Sequence, residues 1–327
     1  MVWILIRGGD GIMTNIRRAL QAAAGVDEPF DAEDVFSTAL YVGDSTDPHA
    51  INNGINLAGK GGMVWTKARE WAISHYVYDT ERGVDEAIFP NKTDYETADR
   101  DFSSFDSEGY TLKAGNGTNS NTENYVSWTF REAPGFFDIV KFDGESGGTT
   151  ISHNLGSVPG LVITKRIDDT GDWYVWRSSD LTAELYLNSV TGEASVTQPA
   201  ASSTEWTLRS GLSNPSATYV SYLFASLDGI SKVGTYSGTE VAQNIECGFG
   251  TTARFLIIKR ADNVGSWNIV DSTRGYGAGN DPVLWADSSA VESTGIDFVT
   301  TYSGGFAVTT SGQVNTDTAT YIYLAIA

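Results

Sequence analysis

Cysteine is almost missing from this chain. Cys247 is the only one in 327 residues, so no intramolecular disulfide framework can exist and stability has to come from burial. Long apolar runs are missing as well: none approaches the roughly 18 residues of a membrane-spanning helix. The apolar residues 1–6 have no basic segment before them and make a poor secretory signal, while Met13 offers an alternative start. Positive charge is scarce, with 21 Lys and Arg against 41 Asp and Glu and a formal net charge of −20. Nucleic-acid affinity comes largely from clustered Lys and Arg, and an anionic membrane repels such a chain, so neither is an expected partner. Histidine occurs three times, as His49, His75 and His153, none at metal-ligand spacing from another or from Cys247, so no metal site is expected.

Nucleophile motifs are absent too. There is no G-x-S-x-G, no P-loop and no Ser/His or Cys/His arrangement, and the expectation is a protein without enzymatic activity or cofactor. Carboxylate pairs such as Asp168/Asp169 and Asp99/Asp101 are abundant, but nothing fixes one in a cleft as a glycosidase requires. The segment Asp168-Asp-Thr-Gly-Asp172 has oxygen ligands that suit calcium yet lacks the EF-hand frame, and it reads more simply as a hairpin turn.

What the chain does have is glycine, 35 residues of it, with 12 per cent aromatics and only 8 prolines, the profile of a turn-rich β protein. It also repeats itself. Met63-Val-Trp-Thr-Lys67, Leu161-Val-Ile-Thr-Lys165 and Phe255-Leu-Ile-Ile-Lys259 each end at a lysine, and eight residues later a second strand opens at His75, Trp173 or Trp267. The lysines are spaced 98 and 94 residues apart, which implies tandem copies of one folding unit. Each copy closes on a similar segment: Tyr125-Val-Ser-Trp-Thr-Phe130, Tyr219-Val-Ser-Tyr-Leu-Phe224 and Tyr321-Ile-Tyr-Leu-Ala-Ile326. These are apolar on both faces and should lie centrally in a sheet. Each copy also opens on a strand ending in glycine, at Gly43, Gly144 and Gly238.

Short strands without a helical pattern between them predict an all-β fold of three tandem antiparallel β-sandwich units, jelly-roll-like, over 36–134, 135–228 and 229–327. Each unit is long enough to bury a core of its own. Residues 1–35 form an N-terminal helix and acidic linker, the helix over 14–24 with Ile16 and Leu20 on its apolar stripe. An isolated helix this short is marginal in water, so it is expected to serve docking or oligomerisation, folding back on the first unit being the alternative. Thr80-Glu-Arg-Gly83 and Thr273-Arg-Gly275 recur in the first and third units and read as corner-turning motifs, with His75 in a packing role. Within Trp173-Tyr-Val-Trp176 the alternation of a strand sends Trp173 and Val175 to one face and Tyr174 and Trp176 to the other, and one of the two must be outside or at an interface. Tyr174, Trp176 and, among the other repeated aromatics, Trp285 are the candidate surface-binding residues, with core packing as the default alternative.

The segments Met13-Thr-Asn-Ile-Arg-Arg-Ala-Leu-Gln-Ala-Ala-Ala-Gly25, Ile51-Asn-Asn-Gly-Ile-Asn-Leu57 and Ile151-Ser-His-Asn-Leu-Gly-Ser-Val-Pro-Gly160 resemble a repeat module of tail-fibre and other virion proteins of tailed bacteriophages from marine and cyanobacterial hosts. Tyr125-Val-Ser-Trp-Thr-Phe-Arg131 followed by Phe136-Phe-Asp138 adds to it. In the third unit Cys247-Gly-Phe-Gly250 departs from the module's turn. The resemblance implies a virion location, other virion proteins and a host surface glycan as partners, a homotrimer, and a tail fibre or adhesin that contacts the host. A decoration protein bracing the particle is the alternative, and a polysaccharide depolymerase has the least support.

Overall fold

The computed structural model describes residues 30–98, 101–277 and 279–327. The expected helix over 14–24, with Ile16 and Leu20, lies outside the described residues. Within them the fold is all-β, built as three antiparallel β-sandwiches in tandem. A single helical turn, α1 (Ala32–Val35), precedes the first, whose strands are β1 (Phe36–Val42), β2 (His49–Asn52), β3 (Gly62–Ala68), β4 (Tyr76–Asp79), β5 (Gly83–Ile88), β6 (Thr97–Ala98), β7 (Phe102–Asp106), β8 (Gly109–Leu112) and β9 (Asn124–Arg131). The second unit comprises β10 (Phe137–Asp143), β11 (Thr149–Ser152), β12 (Leu161–Arg166), β13 (Trp173–Arg177), β14 (Asp180–Tyr186), β15 (Ala194–Ser195), β16 (Glu205–Leu208) and β17 (Thr218–Phe224). The third runs through β18 (Ser231–Ser237), β19 (Gln243–Glu246), β20 (Phe255–Arg260), β21 (Trp267–Asp271), β22 (Asp281–Trp285), β23 (Ser293–Ile296), β24 (Val299–Tyr302), β25 (Gly305–Val308), the turn α2 (Gly312–Asn315) and β26 (Thr320–Ile326).

Each unit has one six-stranded sheet, ordered β1-β9-β3-β4-β5-β6 in the first and correspondingly in the others. The smaller sheet facing it is β2-β8-β7, β11-β16 or β19-β25-β24. First strand pairs with last and second with next to last, the nesting of a jelly roll, while β3 to β6 form a meander. The closing strands β9, β17 and β26 sit inside their sheets, as their two-sided apolarity predicts.

The cores depart from the expectation of one per unit. Units one and two have private cores between their two sheets, around Tyr78, Phe102 and Tyr110 and around Trp176, Trp206 and Leu208. The largest core, however, lies where the other faces of the three six-stranded sheets meet, and unit three's interior is continuous with it. Phe130 marks the meeting point, its ring 5.6 Å from Phe224 of unit two and 5.7 Å from Phe255 of unit three. Phe30, Ala32 and Val35, placed by sequence in the linker, are buried in the same core. A six-stranded sheet with apolar side chains on both faces needs two covering layers; the small sheet supplies one and the neighbouring units supply the other.

Candidate functional site

The repeated lysine frame forms the seams between units. Frame residues Trp173 and Trp267 donate their indole N–H to carbonyls of the preceding unit, Trp173 to Phe89 at 3.0 Å and Trp267 to Tyr186 at 2.8 Å. His75 does the same to the Trp285 carbonyl of unit three at 3.0 Å, which closes the circle. Trp65 Nε1 donates to His75 Nδ1 at 2.9 Å, so the imidazole proton sits on Nε2 and the ring is neutral. Burial, reinforced by the Lys67 charge, pushes the pKa of His75 down to about 3.

Backbone bonds repeat the circle. The N–H groups of Glu96, Glu193 and Glu292 donate to Ile167, Ala261 and Arg69 of the next unit at 2.9, 2.8 and 2.7 Å. Lys165 and Lys259 reach across the same seams to the carbonyls of Thr93 at 3.2 Å and Val190 at 3.4 Å. Lys67 bonds the carbonyls of Ala68 and Trp71 in its own unit. All three lysines are buried, and burial pushes each down to about 8.

The corner motifs hold buried ion pairs. Asp79 and Arg82 meet at 2.6 Å, and Asp271 and Arg274 at 2.5 Å. In unit two the order is reversed, Arg177 pairing with Asp180 at 3.1 Å. Closing strands reach these pairs from neighbouring units: Tyr222 Oη donates to Asp79 at 2.6 Å and Trp128 Nε1 to Asp271 at 3.0 Å. Where Asp would recur, unit two has Arg177, and where the donor would recur, unit three has Leu324, so donor and acceptor are both replaced at the remaining seam. These groups join the units, and the small apolar cavity on their axis, about 10 Å³, has room for no more than a single water.

An open groove lies elsewhere, on unit two. It has a volume of about 360 Å³ and is lined by Arg166, Thr170, Tyr174, Leu212, Asn214 and Tyr219, with Gly171, Gly211 and Ser213 completing it. Its origin is a difference in loop length. A buried polar residue stands six positions before the closing tyrosine in every unit, Asn119, Ser213 or Asn315, and ties the loop to the opening strand's end. Between the preceding strand and that residue lie residues 113–118 in unit one and 309–314 in unit three, but only 209–212 in unit two. In unit one the longer loop lies on Tyr76, the counterpart of Tyr174: a Cβ on Gly117 would come within 2.4 Å of the Tyr76 ring. Unit three has buried Asn268 at that place, with no ring to expose. Only in unit two do a half-buried tyrosine and a shortened loop coincide.

Tyr174 stacks on Trp176 with centroids 6.1 Å apart, and burial raises its hydroxyl pKa, Asp172 and Glu184 adding to the effect. Tyr219 fixes the loop, its hydroxyl donating to the Leu212 carbonyl at 2.8 Å and accepting from Asn214 N at 3.2 Å. Arg166 is held by Asp168, through bonds of 2.8 and 3.1 Å, with Asp169 at 3.6 Å. That pairing holds Asp168 below the usual carboxylate range and engages the carboxylates of the hairpin turn with an arginine.

Of the three candidate aromatics, Tyr174 lines the groove. Trp176 does not reach the surface: it is 4 % exposed, donates to Glu184 at 2.9 Å and packs on Trp206. The reason is the two-sided burial of the sheet, in which the Trp173 face meets the central core and the Tyr174/Trp176 face meets the small sheet. Trp285 is partly buried against the central core and donates to Asn268 at 3.1 Å, away from the groove. Of the groove's other lining residues, Arg166, Thr170 and Gly171 come from the β12–β13 hairpin, Tyr219 from the closing strand, and Gly211 to Asn214 from the loop before it. The loop's signal was available as spacing, since Leu112 to Tyr125 and Val308 to Tyr321 span 13 residues but Leu208 to Tyr219 only 11.

Fold and seams define a class: three diverged β-sandwich repeats closed into one body around a shared core. Residues 31–327 match the model of a family described as a domain of unknown function, DUF7483, and the chain belongs to that family. No curated protein matches it.

Proposed function

We propose that this protein is a non-enzymatic component of a tailed-bacteriophage virion, a tail fibre or adhesin that contacts the host cell surface. The virion setting follows from the resemblance of the repeat module. The observation that supports a contact role is the groove of unit two, opened in one repeat and closed over in its sister. No carboxylate lines it, whereas glycoside cleavage requires two, so the groove is suited to holding a ligand and not to cutting one. The segment 14–24 serves attachment to other virion proteins and trimerisation. A bracing decoration protein would use the closed body and leave the groove idle.

Purified protein added to host cells should block adsorption of the virus that carries it, and antibodies against it should label the fibre or tail tip in electron micrographs. Labelling spread over the capsid, with adsorption unaffected, would favour the decoration reading. Sedimentation should report a trimer for the full chain and a folded monomer after removal of residues 1–29.

A further inference from the structure

We infer that the groove between Tyr174 and the 209–214 loop of unit two is a binding site for a neutral carbohydrate, one or two pyranose rings of a surface glycan. This rests on the adhesin reading and specifies its ligand. Four observations carry it.

The first is the groove's chemistry. Pyranose rings present apolar C–H faces rimmed by hydroxyls, and a site for them combines an aromatic ring with neutral donors and acceptors. Tyr174 supplies the ring, and Thr170 and Asn214, both exposed, supply a hydroxyl and an amide at the rim. Secondly, its charge is neutralised. The one cation in the lining, Arg166, is occupied by Asp168 and Asp169, and the chain carries a net −20, so an anionic ligand finds no free partner.

Thirdly, the backbone is closed to an added peptide strand. Tyr174 lies between Thr164 and Tyr186 in the sheet register, and Tyr219 between Phe142 and Arg166, so the groove floor has no free strand edge to augment. Fourthly, the size fits: about 360 Å³ is near the lower end of small-ligand sites. The glycine pair Gly171 and Gly211 keeps both walls low.

The test uses the full chain on an array of neutral and anionic glycans, followed by calorimetric titration with maltose, cellobiose, lactose, mannobiose and the anionic digalacturonate. Binding is expected among the neutral sugars and not to digalacturonate. Tyr174→Ala should weaken it about tenfold or more, and Asn214→Ala, at an exposed position that leaves the fold intact, by about fivefold. Inserting Gly-Ser after Ser210, which restores the loop length of the sister units, should abolish binding while the near-ultraviolet circular dichroism is retained. Asp168→Ala combined with Asp169→Ala, which releases Arg166, should bring in digalacturonate binding. No glycan bound by the wild type, or binding unchanged in Asn214→Ala and in the insertion, overturns the inference. Adsorption blocking that survives both variants overturns the glycan site and leaves the adhesin reading standing; absence of blocking by wild-type protein that binds glycan overturns the adhesin reading alone.

Discussion

His75 differs from its counterparts Trp173 and Trp267, and the reason stands across the hairpin. Trp65 occupies the place of Ile163 and Ile257, and its indole N–H needs an acceptor that a tryptophan cannot give but a neutral imidazole can. Large and small residues are thus exchanged as a pair. His75→Trp alone should cost about 3 kcal/mol, from overpacking and an orphaned N–H. Trp65→Ile with His75→Trp should recover most of it, a coupling readable in a double-mutant cycle of denaturant unfolding.

The frame lysines set a pH dependence. Each has a folded pKa of about 8 against 10.5 unfolded, so between these values the unfolded chain binds more protons and stability rises with pH. Below about 8 their penalty is constant. Buried tyrosines such as Tyr110, raised by burial, act oppositely, and stability should fall above about pH 10. Lys259→Met should flatten the rise between pH 8 and 10 in chemical denaturation; an unchanged slope would show that the lysine stays protonated in its carbonyl cage.

At the scale of elements, the opening strands end at glycines because the loop before the closing strand comes too close for a side chain. A Cβ at Gly43, Gly144 or Gly238 would lie 2.1, 2.4 or 2.0 Å from the carbonyl oxygen of Ser120, Asn214 or Thr316. Gly238→Ala should therefore cost roughly 2 kcal/mol or more in thermal unfolding. Strands, hairpins and the central place of the closing strand were legible, since each depends on a local pattern of apolar, aromatic and turn residues. Which face of a strand meets solvent was not: alternation in Trp173-Tyr-Val-Trp176 separates two faces but says nothing of the layers that cover them. The groove depended on comparing loop lengths between copies, a signal in what one repeat lacks.

For the whole molecule, the shared core means that no unit has a complete interior alone. A calorimetric scan should show one cooperative transition in place of three. Phe130→Ala, at the meeting of three sheets, should cost about 3–5 kcal/mol and lower that single transition as a whole. A separable low-temperature peak for unit one would contradict it.

Arg254 ties together both ends of the body. Its guanidinium lies 3.4 Å from Glu33 and donates to the Ala327 carbonyl at 2.6 Å, while Phe36 lies 5.1 Å from Phe255. Order along the chain is thus nearly irrelevant to the ring it forms. A circular permutant that joins Ala327 to Phe30 through a short glycine linker, and opens the chain at Gly135 or Gly229 between units, should fold to the same body.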